Sequence, residues 1–254
     1  MTLANQLQQA ILPGRILAVQ VGFSRTAVLV ETEGGIRCGL AATLSNPDFM
    51  HHVRPAVRQA GHLLEMDYRE LAALSESPSF TEIAIGFATI NALLPQTPDQ
   101  WAERKAEDYL VQHSAGKNVA MIGHFPFQEQ LKAHVNQLWV LELNPREGDL
   151  PAAAAPDILP QADYVAITAT TLINKTFDGL MALCRPDAII VMIGPSTPLS
   201  PVLYQYGIHI LSGSIVIDPQ QTILGISQGI SLHQLRQAGC VRYVTIQAEG
   251  HRLS

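Results

Sequence analysis

The stretch NVAMIGHFPFQEQLKAHVNQLWVLEL (residues 118–143) decides the fold. It begins with an apolar run, continues through a segment of helical spacing and ends in a second apolar run. Near-continuous apolar runs are typical of strands that are covered on both faces of a parallel sheet. A strand–helix–strand order predicts two parallel strands joined by a right-handed crossover. The stretch therefore predicts one βαβ unit of an α/β protein.

The same alternation continues from this unit to the end of the chain. Further buried strands are predicted at residues 163–168, 187–194, 208–217 and 241–247, with helices at 101–114, 174–184, 199–207 and 231–239. Repeated units of this kind build a sheet with helices on both faces. We predict a Rossmann-like, doubly wound parallel sheet.

The N-terminal part has a different pattern. RILAVQV (15–21) and RTAVLVET (25–32) are predicted strands, and a glycine pair leads into a third at 36–44. Two predicted helices follow, at 66–77 and 79–94, the second opened by a capping pattern of Ser79 and Glu82. Strands followed by helices suggest a small α+β domain. We predict this domain at residues 1–78 and a Rossmann-like domain at 79–254 that includes the linking helix 79–94.

Composition limits the partners and the compartment. The 254 residues carry 16 Lys and Arg against 22 Asp and Glu, a formal net charge of −6. This balance does not favour nucleic acid as a partner. There is no basic signal-peptide start and no apolar run of membrane-spanning length, and Cys38, Cys184 and Cys240 have no paired spacing. We expect a cytoplasmic protein with no membrane partner, and a homo-oligomer as the usual state.

Candidate site residues follow from the rule that parallel sheets bind ligands beyond the carboxyl ends of their strands. Cys184, His209 and Cys240 precede strands and are therefore expected at the opposite edge. The residues at the carboxyl ends are Gly123, His124, Glu142, Thr168, Thr170, Gly194, Pro195, Ser196, Thr197 and Gly213.

Three of the polar candidates precede predicted helices. Asn174 and Thr176 open the helix at 174–184, and Ser196 precedes the one at 199–207. Helix N-termini suit a carboxylate or phosphate, but side chains of these types also serve as simple N-caps. Both interpretations stay open.

His124 and Glu142 end consecutive strands and would meet a common ligand if those strands are neighbours. Glu142 also has the position of the acid that contacts ribose in dinucleotide-binding sheets. The first loop reads GHFPF and lacks G-x-G-x-x-G, so an ordinary NAD site is not expected. The alternatives are a histidine bonded to backbone and a salt-bridged carboxylate. Asn91, inside an apolar helix, either joins two parts of the fold or faces the ligand.

Taken together, these motifs resemble the family named putative heavy-metal chelation. The resemblance implies an enolase N-terminal-like domain followed by a Rossmann-like domain. It also implies a cleft between them lined by Asn91, His124, Glu142, Thr168, Thr170, Asn174, Thr176 and the 194–197 loop. The segments that carry it are GLA (39–41), GFATINALL (86–94), MIGHFPF (121–127), LELNPREGDLP (141–151), DILPQADYVAITATTLINKT (157–176), GPSTPLSP (194–201) and YGIHILSGSIVID (206–218).

Soft heavy metals prefer thiolate ligands, yet no cysteine is expected at the carboxyl edge. His124 and Glu142 are the candidate metal ligands, and a metal ion carried in an anionic chelate would suit both these residues and the helix N-termini. We predict a protein that binds a small anionic ligand or metal chelate. The alternatives are an enzyme acting on a phosphorylated or carboxylated metabolite with His124 and Glu142 as acid/base groups or metal ligands, and a structural subunit.

Overall fold

The computed structural model describes residues 1–44, 56–102 and 105–248. Its residues divide into two compact units, each drawing on separate stretches of the chain. The first contains the described residues within 1–97, 195–202 and 213–243. The second contains those within 98–194 and 203–212 and from 244 onward. Helix 80–93, which the sequence prediction attached to the second domain, is in the first unit; the predicted boundary at 78/79 stays a prediction.

The helices and strands of the first unit are α1 Leu3–Gln9, β1 Arg15–Val21, β2 Arg25–Thr32, β3 Gly35–Ala42, α2 Tyr68–Ala73, α3 Phe80–Leu93, α9 Pro219–Ser227 and α10 Leu232–Gln237. The three strands form an antiparallel sheet in the order β1-β2-β3. The helix α3 packs on β3, where a Cβ added to Gly39 would come within 2.1 Å of the Ala88 carbonyl oxygen. This contact explains why glycine stands in the middle of a strand.

The sequence missed α9. Asp218 caps this helix by accepting from the Gln221 N–H, and Pro219 occupies its first turn. Both are start signals that follow directly on a strand pattern. The predicted helix at 199–207 is also wrong in type, because residues Pro201–Tyr206 form a 3₁₀ helix.

A seven-stranded sheet holds the remaining strands. The bounds are α4 Ala106–His113, β4 Asn118–Ile122, α5 Gln128–Lys132, β5 Gln137–Glu142, β6 Leu150–Pro151, α6 Ala155–Ile158, β7 Tyr164–Thr168, α7 Thr170–Ile173, α8 Phe177–Met181, β8 Ile189–Ile193, β9 Ile210–Val216 and β10 Val241–Gln247. Buried apolar side chains such as Val119, Met121, Val140 and Ala166 form the core of the second unit.

The strand order is β6-β5-β4-β7-β8-β9-β10. Counted from β4, this is the order 3-2-1-4-5-6 of dinucleotide-binding sheets with a seventh strand added. The strand pairs from β6 to β9 are parallel. The predicted fold class, a small α+β part followed by a Rossmann-like sheet, is confirmed. The order reverses at β4, so a ligand crevice is expected beyond the carboxyl ends of β4, β5 and β7.

No helix among the described residues is long and apolar enough to span a membrane.

Candidate functional site

A cavity of about 440 Å³ opens in the second unit at the expected edge of the sheet. Seven of the sequence candidates line it: Gly123, His124, Glu142, Thr168, Thr170, Asn174 and Thr176. The others that line it are Ile122, Leu141, Leu143, Arg146, Ala152, Thr171 and Leu180. These seven candidates come from three separate segments, 123–124, 142 and 168–176, and they share one pocket because parallel strands end at a common edge.

His124 lies between two carboxylates. Its Nδ1 is 2.8 Å from Oε1 of Glu142, and its Nε2 is 2.8 Å from Oδ2 of Asp149. A carboxylate only accepts hydrogen bonds, so both contacts are satisfied together when the ring carries a hydrogen on each nitrogen. Glu142 Oε1 also accepts from the backbone N–H of His124 at 3.1 Å. Glu142 is therefore a salt-bridged carboxylate that also lines the pocket, and its role in ligand binding stays a prediction.

Asp149 and Arg146 belong to the site but were not predicted from the sequence. The Asp149 side chain is 3% exposed, against 25% for His124 and 23% for Glu142. It closes a turn with Arg146, whose N–H donates to Asp149 Oδ2 at 2.7 Å. The only signal in the sequence was the turn composition Asn-Pro-Arg-Glu-Gly-Asp after β5, which predicts a loop but not a contact with His124.

The other side of the pocket presents hydroxyl and amide groups. Thr168 Oγ1 and Thr170 Oγ1 are 3.0 Å apart. Asn174 Oδ1 accepts from both the N–H and the hydroxyl of Thr176, at 3.2 and 2.8 Å. Thr176 is the N-cap residue of α8, but its side chain caps no N–H of that helix. Asn174 Nδ2 makes no hydrogen bond to any other described residue, so this group is available to a ligand.

Arg146 supplies a cation at the rim of the pocket. Within the part of the chain that the structure describes, its guanidinium has no ion-pair partner. A free guanidinium is well suited to a carboxylate or phosphate, which it binds through two parallel hydrogen bonds.

Two glycines, Gly123 and Gly194, directly follow β4 and β8, so no side chain is present at these two positions. Gly123 has a φ of 101°, and a Cβ added there would be 3.1 Å from Cγ2 of Thr168. Gly194 has a φ of 137°, and its added Cβ would be 3.9 Å from Thr168 Oγ1. Both conformations disfavour any other residue type.

The remaining candidates, Asn91, Pro195, Ser196, Thr197 and Gly213, lie in the first unit. Asn91 Nδ2 donates to the carbonyl oxygens of Leu40 and Ser196, at 2.9 and 3.1 Å. Ser196 Oγ accepts from the Ala42 N–H at 2.8 Å, so it is not a helix cap. Asn91 thus joins α3, β3 and the 195–202 segment. That these five residues share one cleft with the pocket group stays a prediction.

The thiols do not contribute to the pocket. None of the three cysteines lines it, and burial raises the pKa of Cys38 to about 12 and that of Cys184 to about 11. In the described ranges, no three His, Cys, Asp or Glu side chains are arranged to hold a metal ion. The pocket donors are one imidazole and one carboxylate, which fit a borderline divalent ion completed by outside ligands, not a thiophilic ion held by protein alone.

The chain is similar to known proteins in both sequence and structure. One family model, described as "Putative heavy-metal chelation" and designated DUF364, matches residues 105–245.

The chain belongs to this family.

A second model of the same description, DUF4213, matches residues 4–94 of this DUF364 chain. A solved DUF364 protein of unknown function from Desulfitobacterium hafniense is 27% identical, with a TM-score of 0.81 and coverage of 96% of this chain and 97% of that one. Another from Pyrococcus horikoshii is 20% identical, with a TM-score of 0.83 and coverage of 97% and 98%. An uncharacterized protein of Methanocaldococcus jannaschii is 26% identical over 78% of this chain and 77% of its own length.

Proposed function

We propose that the pocket of the second unit binds a heavy-metal ion as cargo, in the form of a small anionic chelate. The observation that carries the proposal is the mixed lining of one cavity. The residues that line it combine an imidazole and a carboxylate with a guanidinium, an amide and hydroxyls. The family description names heavy-metal chelation, and the pocket chemistry suggests which form the metal takes.

The anion side consists of Arg146, Asn174 and Thr170. A guanidinium and an oriented amide both donate hydrogen bonds, and a threonine hydroxyl donates or accepts as needed. Arg146 has no carboxylate partner among the described residues, so a bound anion would gain a charge-assisted contact without breaking an existing ion pair.

The metal side consists of His124 Nδ1 and Glu142 Oε1, which are 2.8 Å apart, so an ion bound by both would replace the hydrogen between them. Imidazole nitrogen and carboxylate oxygen together suit borderline ions such as Ni²⁺, Co²⁺ or Zn²⁺. Two protein ligands leave most of the coordination sphere to other donors. A negatively charged chelator that supplies those donors would let the complex bind both the metal ligands and the anion-binding residues of the pocket. The bare ion would bind only the metal ligands.

Calorimetric titration with NiCl₂, citrate and preformed Ni²⁺–citrate tests the proposal. We expect Ni²⁺–citrate to bind at least about 10-fold more tightly than citrate alone. Arg146→Gln should weaken both citrate-containing ligands about 10-fold or more, since a hydrogen bond to a charged group contributes about 1.5–3 kcal/mol. Arg69→Gln, in the first unit and outside the pocket lining, is the matched control and should change nothing. Absence of saturable binding by all three ligands at millimolar concentration would reject the proposal.

The enzyme alternative, with His124 as an acid/base group, ranks second because the family description names heavy-metal chelation and no reaction. Turnover of a metabolite that is lost in His124→Gln would reverse this ranking. The cytoplasmic location and the homo-oligomeric state stay predictions, to be tested by cell fractionation and light scattering.

A further inference from the structure

We propose that Asp149 is a positioning residue that sets both sides of the pocket through one carboxylate oxygen. It orients the His124 ring and anchors the turn that carries Arg146. The consequence for binding rests on the proposed function, whereas the orientation of the ring is a property of the protein without ligand.

The geometry at Asp149 Oδ2 carries the inference. This oxygen is 2.8 Å from His124 Nε2 and accepts from the Arg146 N–H at 2.7 Å. The Asp149 N–H donates in return to the Arg146 carbonyl oxygen at 3.0 Å. The side chain is 3% exposed, so water competes little for these bonds. One carboxylate that is shielded from water therefore holds both the His124 ring and the backbone N–H of Arg146.

Asp149 determines which ring nitrogen of His124 is directed toward the cavity. A carboxylate on Nε2 keeps the hydrogen on that nitrogen and fixes the plane of the ring. Nδ1 is then directed to Glu142, which lines the cavity. Metal-binding histidines in general owe their orientation to such a partner on the far nitrogen, and loss of the partner typically costs 10- to 100-fold in metal affinity.

Asp149 also fixes the position of the Arg146 backbone, from which the guanidinium side chain extends. The turn from Arg146 to Asp149 contains Gly148, whose φ is 89°, and is closed by two reciprocal hydrogen bonds to Asp149. Without the carboxylate, one of these bonds is lost and the turn is no longer tied to His124. We therefore expect a change at Asp149 to weaken binding on the anion side as well as on the metal side.

The first test needs no ligand. Long-range ¹H–¹⁵N NMR at fixed pH should show a hydrogen on His124 Nε2 in the natural protein and its loss or exchange-averaging in Asp149→Leu. Asp149→Asn keeps the shape and an acceptor, so the hydrogen should remain, with an upfield shift of Hε2 because a neutral acceptor makes a weaker bond. If the leucine variant does not fold, the shift in the asparagine variant decides. Asp157→Asn, outside the pocket lining, is the control and should leave His124 unchanged.

The second test measures Ni²⁺–citrate and citrate binding by calorimetry. Asp149→Leu should weaken Ni²⁺–citrate binding 10- to 100-fold and citrate binding to a smaller extent, with Asp149→Asn between it and the natural protein. His124 signals that do not respond to either substitution would overturn the inference. His124 signals that respond in a protein that binds neither ligand would support the inference and reject the proposed function.

Discussion

Gly123→Ala is the substitution whose effect follows most directly from the structure. Gly123 directly follows β4 and has a φ of 101°, and an added methyl group would be 3.1 Å from Cγ2 and 3.3 Å from Cβ of Thr168. Both residues line the cavity. The substitution thus introduces an unfavourable backbone conformation and a tight contact between two residues that line the cavity.

The two costs can be separated. A left-handed backbone costs an L-residue about 1–2 kcal/mol, and forcing a methyl group into a packed contact costs about 1–3 kcal/mol more. Gly148→Ala meets a similar backbone cost, with a φ of 89°, but no neighbour lies within 4 Å of its added Cβ. We expect Gly123→Ala to lower the free energy of unfolding by about 2–5 kcal/mol, and Gly148→Ala by about 1–2 kcal/mol.

Urea unfolding followed by tryptophan fluorescence measures these differences in the right part of the molecule. Trp101 and Trp139, the two tryptophans of the chain, both belong to the second unit. Thr168→Ser removes the Cγ2 methyl and keeps the hydroxyl, so in the Gly123→Ala background it should restore about 1 kcal/mol. Equal destabilisation by Gly123→Ala and Gly148→Ala, together with no gain from Thr168→Ser, would refute the reasoning.

Two further predictions concern buried groups outside the pocket. Burial would by itself raise the pKa of Glu82, but hydrogen bonds from Arg58 and Ser77 hold it below its usual value. The stabilisation is therefore present above about pH 4.5 and is lost as the pH falls below it. Glu82→Gln should cost about 2–3 kcal/mol at pH 7, and less at pH 3, in urea unfolding; a constant difference would contradict this. Because burial raises the pKa of the Cys38 thiol to about 12, iodoacetamide at pH 8 should modify it only after unfolding, and Cys38→Ala should leave Ni²⁺–citrate binding unchanged. Rapid labelling or lost binding would show that this thiol is accessible or functional.

The sequence was sufficient for features that depend on local pattern. The apolar runs at 118–122 and 164–168 are strands because buried parallel strands need apolar side chains on both faces. Because parallel strands all end at the same edge of a sheet, His124, Glu142 and Thr168 were expected together at that edge. The helix α9 was missed because its start signals follow directly on a strand pattern.

Only the tertiary structure could decide which atoms meet at that edge. The pairing of β4 with both β5 and β7 sets the strand order, and strand order depends on long-range packing, not on local periodicity. The contact between His124 and Asp149 is of the same kind, because it requires the turn after β5 to fold back over the end of β4. The sequence determined the types of side chain available at the site. Packing between residues distant in the chain determined that one imidazole lies between two carboxylates, at a cavity that Arg146 also lines.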